Sequence, residues 1–473
     1  MVDGKVLATR FAGAADFETR KVISGGNELE IFFLDGLTSS GDIADFIVRP
    51  LHEARQDERE ETLFTRAERG LVWCASMKKA SSTDEAAELL VNGFCVILFP
   101  KSGKALGCEV KTGEKRSPSA PEAENTVKGA KDAFTETLRT NTSLIRRHLR
   151  TPELRLEESV VGRRSLTKVT VCWVEGLTDP ELPARMKKRL GEIDIDGLLS
   201  PAAVEEYVTG ARKTAFPLLE FTERTDHFCQ GLLDGQVGLL VDGLPIGYLA
   251  PVSFGRLMRS PEDRATDYLS ASMLRILRYL ALGVSLLLPG IYAAMAMFHQ
   301  QMLPTKLLLS IIESKQDVPF STLFEVVGLL CAFELLQQAG LHLPQAIGTA
   351  VSIIGGLVVG TAAVDAKLVS PAALIVTASS GICGFTLPNR ELSDALRLWR
   401  LGLTVLGGVF GLFGVTAGLL LLLVRLAGLE SLERSYLAPF GEAEVKGALV
   451  RERLTEQKWR DGTLRPLDER NQR

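Results

Sequence analysis

Hydrophobic and polar residues are interleaved in the first half of the chain, whereas the second half contains long unbroken apolar runs. Near the start, the apolar segment Glu28–Leu34 predicts a strand, and after a turn a cap at Ser39 or Ser40 begins an amphipathic helix. The same order of strand and helix repeats and ends with Phe94–Phe99, which has the composition of a strand buried on both faces. The pattern predicts an α/β subdomain over residues 1–111.

A second subdomain follows a segment of different composition. Residues 112–127 are rich in proline, serine, alanine and charge, and they carry too little apolar surface to offset the entropy of ordering them, which predicts a linker. Beyond it, Asp132–Arg150 predicts a helix, and Leu154–Val161 with Leu166–Val174 predicts a hairpin. We expect a second α/β subdomain over residues 128–234.

Residues 235–276 are expected to connect this subdomain to the apolar half of the chain. Apolar and β-branched residues on both sides of a turn at Asp242 predict a hairpin that leads to a membrane. Ser260, with the proline and acids after it, gives the cap and first turn of a further helix. On this division, a fragment that ends near Thr225 is expected to be soluble and folded.

The apolar half predicts a multi-pass α-helical membrane domain over residues 277–428. Crossing the hydrocarbon core of a bilayer takes about 20 apolar residues in a helix. Four runs have this length: Leu277–Phe298, Ala346–Val364, Leu368–Leu387 and Leu401–Val424. A fifth, shorter run, Leu323–Ala339, contains Glu325 and Glu334, and it either crosses or enters and turns back.

Lysine and arginine near the apolar runs predict the orientation of the chain. The arginines before the first run favour the cytoplasmic side, and the basic tail over residues 429–473 places the C-terminus on the same side, which requires an even number of crossings. Five crossings would instead bring the loop with Arg390, Arg397 and Arg400 to that side. The first residues lack the apolar core of a signal peptide, so we expect the α/β region to stay in the cytoplasm.

Composition excludes several classes of protein. Charged residues make up 24% of the chain although its mean hydropathy is +0.14, which follows from the separation of charged and apolar halves. A net charge of -4 without a basic stripe argues against nucleic-acid binding. The 7 cysteines are scattered, which predicts no zinc site and no disulfide framework. Phosphate-binding, metalloprotease and nucleophile motifs are missing from the sequence, so we expect neither an enzyme nor a cofactor.

Acidic residues within apolar runs are candidates for an ion pathway. An unpaired charge there costs at least about 3 kcal/mol, which makes Glu334 and Glu325 functional candidates. Glu334 is the first candidate for an ion pathway, and Asp365 is a further one. In the alternative, each glutamate lies at the interface or pairs with a neighbour. The neighbours considered for such a pair are Lys306, Lys315 and His342.

Glycines and hydroxyl groups also recur along the apolar runs. Spaced glycines let helix backbones approach closely, whereas serines and threonines either line a narrow polar path or bond back to their own helix. The candidate packing glycines are Gly356, Gly360, Gly407, Gly411, Gly414 and Gly418. The candidate path residues are Thr349, Ser352, Thr361 and Thr377, with Ser370, Ser379 and Ser380 on the same runs.

A series of longer motifs occurs in one order from about Phe17 to Phe440. In the membrane part they are SLLLPGIYAAMAMFHQQMLPT (Ser285–Thr305), FELLQQAGLHLPQAIGTAVSIIGGLVVGTAAVDAKLVSP (Phe333–Pro371), GLFG (Gly411–Gly414) and YLAP (Tyr436–Pro439). In the soluble part they are LDGLTSSGDIADFIVRPL (Leu34–Leu51), KGAKDAFTETLRTNTSLIRRHLR (Lys128–Arg150), TERTD (Thr222–Asp226), VDGLP (Val241–Pro245) and SPED (Ser260–Asp263). In this series the chain resembles the A subunits of the GerA-type spore germinant receptors.

The resemblance implies a receptor subunit in the spore inner membrane whose soluble domain faces the spore core. It implies a homo-oligomer that contacts membrane lipid and two partners, a transporter-like B subunit that binds the nutrient and a lipoprotein C subunit. In that picture the A subunits form an oligomeric cation channel. The chain departs from the family pattern at Gln301, Gln337, Gln338 and Leu330, which removes charge from the membrane domain and favours the alternative of a non-conducting membrane scaffold.

Overall fold

The computed structural model describes residues 1–54, 59–111, 121, 124, 128–210, 213–342, 360–440 and 446–471. Over these residues the chain forms two α/β domains, a set of apolar helices and a tail that returns to the second domain. Most of the predicted linker and most of the predicted span Ala346–Val364 lie outside the described residues.

The first domain is an antiparallel sheet of five strands with helices packed on it. The strands are β1 (Phe17–Ser24), β2 (Asn27–Leu34), β3 (Met77–Ala80), β4 (Phe94–Phe99) and β5 (Lys104–Glu109), in the order β1-β2-β4-β5-β3. The helices are α1 (Gly4–Arg10), α2 (Ser40–Asp42, Ile43–Val48 and Arg49–His52 in succession), α3 (Glu60–Arg66 with Ala67–Leu71) and α4 (Thr83–Val91).

Strand β4 is buried on both faces, as its composition predicts. Val96 and Leu98 pack under α1 and α4, whereas Ile97 and Phe99 pack under α2 and α3. Because side chains alternate along a strand, this one apolar run serves two separate cores.

The second domain contains another antiparallel five-stranded sheet. Its strands are β6 (Leu154–Val161), β7 (Thr167–Val174), β8 (Glu220–Thr222), β9 (Val237–Val241) and β10 (Gly247–Ala250), in the order β6-β7-β9-β10-β8. Its helices are α5 (Leu138–His148), α6 (Glu181–Gly191), α7 (Pro201–Thr209) and α8 (Thr225–Asp234), and the short helices α9 (Phe254–Leu257) and α10 (Glu262–Ala265) follow the sheet.

The hairpin β9–β10 lies inside this sheet rather than between the domain and the membrane. Strand β9 pairs with β7, and β10 pairs with β8, so the hairpin joins the two ends of the sheet. All residues of both strands are buried. The predicted boundary at residue 234 therefore cuts the second domain, which requires the chain through residue 250.

A buried ion pair joins the two domains. Arg146 of α5 donates two hydrogen bonds to Asp16, with its Nε 2.7 Å from Oδ2 and its Nη2 2.8 Å from Oδ1. The two side chains are only 1% and 2% exposed. The backbone N–H of Ala15 also donates to the carbonyl of Leu156 at 2.8 Å. A bidentate pair of this kind fixes orientation as well as distance, so the domains pack as a unit.

The apolar half forms six α-helices and one turn of 3₁₀ helix, Gln300–Met302, over the described residues. The α-helices are α11 (Tyr268–Met297), α12 (Thr305–Lys315), α13 (Thr322–His342), α14 (Gly360–Asp365), α15 (Pro371–Gly384) and α16 (Arg390–Ala427). By length and hydropathy, α11, the described part of α13 and α16 are each long and apolar enough to cross a membrane. The run Leu323–Ala339 thus lies in a helix of 21 residues, whereas α15 has only 14.

Helix α16 reverses direction at Gly411. This glycine has φ 65° and ψ -151°, a backbone conformation outside the helical region. A Cβ atom at Gly418 would lie 2.6 Å from a side-chain carbon of Leu403, although a straight helix would separate these residues by about 22 Å. Both ends of α16 lie beside the second domain, since Glu391 contacts Glu205 and Arg425 donates to the carbonyl of Lys213.

The predicted single span Leu401–Val424 is therefore a helical hairpin. Its first limb covers residues 390–410 and its second limb residues 412–427. His299, just after α11, lies against Gly411 at the tip. We call this end of the helices, which is farthest from the α/β domains, the distal end.

A proline shapes the contact between α11 and α15. Pro289 has no N–H to donate to the carbonyl of Ser285, four residues earlier in the same helix. The hydroxyl of Ser380 in α15 donates to that carbonyl instead, at 2.7 Å. At the next residue, Gly290, a Cβ atom would lie 2.9 Å from the carbonyl oxygen of Leu403, so α11 and the first limb of α16 meet backbone to backbone.

The tail after α16 returns to the second domain. It contains the short strands β11 (Glu430–Ser431) and β12 (Arg434–Ser435), helix α17 (Lys446–Leu449) and a turn of 3₁₀ helix, Gly462–Leu464. Arg460 Nε donates to the carbonyl of Leu233 at 2.9 Å, and the N–H of Leu467 donates to the carbonyl of Leu177 at 2.8 Å. The tail and the α/β domains thus lie at the same end of the membrane helices.

Candidate functional site

Glu334 forms an ion pair with two arginines from the first limb of α16. Its Oε1 lies 2.5 Å from Nη2 of Arg400, and its Oε2 lies 3.4 Å from Nη1 of Arg397. Arg400 is 4% exposed, and its Nη1 lies 3.5 Å from the hydroxyl of Ser380. Because Ser380 in turn donates to the Ser285 carbonyl, the polar contacts continue from α13 through α16 and α15 to α11.

Glu325 lies in a second polar cluster near the distal end. Its side chain is fully buried, and Oε1 accepts a hydrogen bond from the N–H of Ser370, the capping residue of α15. Lys315, the last residue of α12, has its Nζ 3.7 Å from Glu325 Oε2 and donates to the hydroxyl of Thr322. Tyr292 of α11 lies beside Ser370 and Glu325. We call these five residues the Glu325 site.

Of the remaining predicted path residues, the structure describes Thr377, Asp365 and Thr361. Thr377 is buried, but its hydroxyl bonds back to the carbonyls of Ala373 and Leu374 in its own helix. Asp365 and Thr361 are exposed on α14. Thr349 and Ser352 lie outside the described residues.

The glycines of α16 lie where backbones come closest. Gly407 meets the carbonyl of Gly290, Gly414 meets the carbonyl of Leu406 across the hairpin, and Gly418 faces Leu403. Gly411 forms the tip, and Gly360 lies near Leu374, whereas Gly356 is outside the described residues.

A third cluster joins the soluble region to the base of α11. Asp263 of α10 is 2% exposed, and it lies 3.1 Å from Arg275 and 2.7 Å from Arg278 of α11. Burial of Asp263 disfavours its charged form, but the hydrogen bond and charge of Arg278 and the charge of Arg275 prevail and lower its pKa. The tail adds to this cluster, since Arg451 donates to the carbonyl of Thr266 at 2.7 Å.

A charged network next to this cluster belongs to the second domain. Arg256 of α9 lies 3.3 Å from Glu220 and 3.1 Å from Asp234, and His227 lies 2.9 Å from Glu220. Burial alone would raise the pKa of Glu220, but His227 and Arg256 lower it to about 2. Burial would also lower the pKa of His227, and the charge of Glu220 raises it instead. The network thus keeps opposite charges together beneath α11.

The sequence did not identify Arg397, Arg400 and Tyr292 as partners of the two membrane glutamates. Position along the chain made the arginines appear as loop charges, although both lie within α16. Lys315 was among the neighbours considered for an ion pair, and the structure places it beside Glu325. No signal in the sequence pointed to the arginines, because both lie just before the predicted run Leu401–Val424 and not inside it.

The two α/β domains, the apolar helices and their internal ion pairs define a helical membrane protein with a large N-terminal α/β region. The model of the Bacillus/Clostridium GerA spore germination protein family matches residues 5–463. The chain therefore belongs to the GerA family, which confirms the resemblance seen in its motifs.

Proteins from several bacilli are similar to this chain over most of its length. Spore germination protein KA of Bacillus subtilis (strain 168) is 34% identical over 89% of this chain and 78% of that protein. Spore germination protein XA of Bacillus anthracis is 33% identical over 84% of this chain and 82% of that protein. A Bacillus subtilis protein named uncharacterized membrane protein YfkQ is 35% identical over 89% of this chain and 82% of that protein.

A solved structure is also similar to the N-terminal part of the chain. It is the crystal structure of the N-terminal domain of the A subunit of the Bacillus megaterium spore germinant receptor GerK3. The two are 25% identical, with a TM-score of 0.41 over 53% of this chain and 93% of that chain.

Proposed function

We propose that this chain is the A subunit of a nutrient germinant receptor and that several copies form a cation channel gated by a nutrient-binding partner subunit. Family membership over residues 5–463 supports the role in spore germination. The observation that carries the channel proposal is the presence of charged groups, Glu325, Glu334 and Arg400, between apolar helices. Ionisable groups at such depth are costly and usually mark a path for ions or substrates.

The membrane helices leave a large apolar surface for other contacts. In the most apolar 18-residue stretch of each of the helices α11, α13 and α16, only 22% to 39% is buried inside the chain. Met273, Leu335 and Phe413 are each more than 70% exposed. Such surfaces support contact with lipid and with further copies of the chain, which a pore at a symmetry axis needs.

The cluster at the base of α11 supports transmission between the soluble and membrane parts. Asp263 holds Arg275 and Arg278 in place, and the Arg256 network joins the adjacent segment to the second domain. A movement of the domain therefore acts on α11 through charged contacts instead of a flexible linker. We place the receptor in the spore inner membrane with its α/β domains facing the core, together with a transporter-like B subunit and a lipoprotein C subunit.

A non-conducting membrane scaffold is the second candidate. It is favoured by the pairing of both membrane glutamates with basic residues of the same chain, which leaves neither carboxylate without a counter-charge. In this alternative the helices assemble the germination complex, and ions pass elsewhere.

Flux measured on the assembled receptor separates the two. The chain and its two partner subunits are reconstituted in liposomes loaded with Rb⁺, and a mixture of amino acids, nucleosides and sugars is added. The channel proposal expects nutrient-dependent Rb⁺ release that is lost when this chain is omitted. An assembled complex that responds to nutrient without releasing Rb⁺ would instead establish the scaffold.

A further inference from the structure

We infer that the Glu325 site is a binding site for a monovalent cation, in which the ammonium group of Lys315 occupies the place of the free ion. This inference rests on the proposed cation channel and assigns a site and a plug to it. Glu325 is buried between α11, α13 and α15, and a buried carboxylate requires a compensating positive charge.

The compensation within the chain is incomplete. Glu325 Oε1 accepts the N–H of Ser370, but Oε2 has no hydrogen-bond partner among the described residues. The nearest cation, Lys315 Nζ, is 3.7 Å from Oε2, which is longer than a charge-assisted hydrogen bond. The acid is therefore neutralised by a charge that is close but does not bond to it directly.

Further oxygens lie around the same point. The hydroxyl of Thr322 accepts the hydrogen bond of Lys315, and Thr322 is 3% exposed. The hydroxyl of Tyr292 is also buried at this point, and the Tyr292 side chain lies beside Glu325 and Ser370. One carboxylate with hydroxyl oxygens is a ligand set for a hard cation. A single negative charge neutralises a monovalent ion, whereas a divalent ion would leave a buried excess charge.

Lys315 is suited to act as a removable occupant. Its ammonium is a compact monovalent cation on a flexible four-carbon stem, and its side chain is 22% exposed. It also lines a cavity of about 220 Å³ between the end of α11 and α12, together with Gln300, Gln316 and Leu308. Lys315 is thus the residue shared by the cavity and the carboxylate, and its withdrawal would expose Glu325 to ions from the distal end.

Substitution of Lys315 tests the site by cation rescue. The full chain with Lys315→Met is purified, and its thermal unfolding is compared in KCl, RbCl and N-methyl-D-glucamine chloride at equal ionic strength. We expect K⁺ and Rb⁺ to raise the Tm of this variant by about 2 °C over the organic cation. The native chain and Lys315→Arg should respond much less, because a tethered cation already fills the site.

Matched variants separate this effect from a general salt response. Lys306→Met removes an exposed lysine from the same helix and should show no preference for K⁺ or Rb⁺. Glu325→Gln combined with Lys315→Met removes both charges and should abolish the rescue. If Lys315→Met is unfolded in the organic cation but folded in K⁺ or Rb⁺, the inference is supported in the same way.

The inference is overturned if Lys315→Met has the same Tm, or is equally unfolded, in all three salts. That result would mean that the variant tolerates Glu325 by protonation or by rearrangement and not by ion binding. The thermal unfolding measurement does not depend on ion flux through the receptor. If Rb⁺ rescues the variant but the receptor releases no Rb⁺, the channel proposal is contradicted and the cation site is supported. If the receptor releases Rb⁺ but no cation rescues the variant, the channel proposal is supported and the cation site is contradicted.

Discussion

Glu334 and Arg400 form an ion pair between two apolar helices, with 2.5 Å between Oε1 and Nη2. The arginine is 4% exposed, so removal of the acid leaves a buried guanidinium whose remaining polar contact is Ser380 at 3.5 Å among the described residues. Substitution of Glu334 is therefore expected to lower the free energy of unfolding mainly because Arg400 loses its counter-charge.

Glu334 is 37% exposed and only Arg400 is buried, so we expect Glu334→Gln to lower the stability of the folded chain by about 2 kcal/mol, the cost of leaving the guanidinium without its partner. The double variant Glu334→Gln with Arg400→Gln should recover most of this loss. Thermal unfolding of the purified chain and the amount recovered from membranes measure both effects, with Glu313→Gln on the exposed face of α12 as the control.

A different outcome would place Glu334 in the ion path. If Glu334→Gln assembles in normal amounts with an unchanged Tm, and cation flux per complex changes in rate or ion preference, the carboxylate acts on ions and its pairing with Arg400 contributes little to folding.

The hairpin of α16 predicts a strong effect of a single methyl group. In Gly414→Ala, the new Cβ would overlap the carbonyl of Leu406 in the opposite limb, a contact with backbone that cannot move aside. We expect destabilisation of about 2 kcal/mol and loss of monodisperse protein in size-exclusion chromatography.

Gly402→Ala is the matched control for this substitution. Gly402 lies in the first limb of the same hairpin, and a Cβ atom there meets no other atom within 4 Å. Alanine is the better helix former, so this variant should be neutral or slightly more stable. Equal effects of the two substitutions would mean that the limbs are not in contact.

The sequence predicted the classes of element well but not which elements become neighbours. Strand β4 was identified as buried on both faces, because its unbroken apolar run has no polar face. The run Leu401–Val424 is equally apolar in both limbs, so periodicity cannot reveal the reversal, and Gly411 is one of several spaced glycines. Likewise, the hairpin β9–β10 was recognised, but its place between β7 and β8 depends on long-range pairing.

The candidate site shows the same limit. The cost of a buried charge singled out Glu325 and Glu334, and it required each to have a partner. Lys315 was among the candidates for that role, but Arg397 and Arg400 were not, because the approach of α13 to α16 follows from packing and leaves no trace in either segment alone.

The extent of the second sheet leads to a prediction about fragments. A fragment that ends at Arg259 contains β9, β10 and the Arg256 network, and it should be soluble with a cooperative unfolding transition. A fragment that ends at Thr225 lacks β9 and β10, so β8 loses its partner strand β10 and β7 keeps β6 but loses β9, and the fragment should aggregate. Circular dichroism and light scattering distinguish these results, and a folded Thr225 fragment would contradict the sheet order.

The pair of His148 and Asp132 makes the stability of this domain depend on pH. Their side chains are 2.7 Å apart, and Thr225 donates to the same carboxylate at 2.7 Å. The hydrogen bond from His148 lowers the pKa of Asp132 to about 2, and the same bond raises the pKa of His148 despite partial burial. The charged pair is therefore favoured in the folded state.

Because the folded-state pKa of His148 lies above that of an unfolded histidine, its contribution is fully present below pH of about 6.5 and is lost as pH rises through the folded-state value. Asp132 has the opposite dependence, since its contribution is present above pH of about 4 and is lost as pH falls toward 2. In the fragment ending at Arg259, His148→Asn should remove about 1 kcal/mol of stability at pH 6 and much less at pH 9.

Urea unfolding at both pH values measures this difference. His227 also has a raised pKa and contributes in the same direction, so the comparison is made between His148→Asn and the native fragment at each pH and not from the native curve alone. His52→Asn, at an exposed histidine of α2, should leave the pH dependence unchanged. A loss for His148→Asn that is the same at pH 6 and pH 9 would mean that the charge of His148 does not matter, and that its packing or the hydrogen bond of the neutral imidazole stabilises the domain.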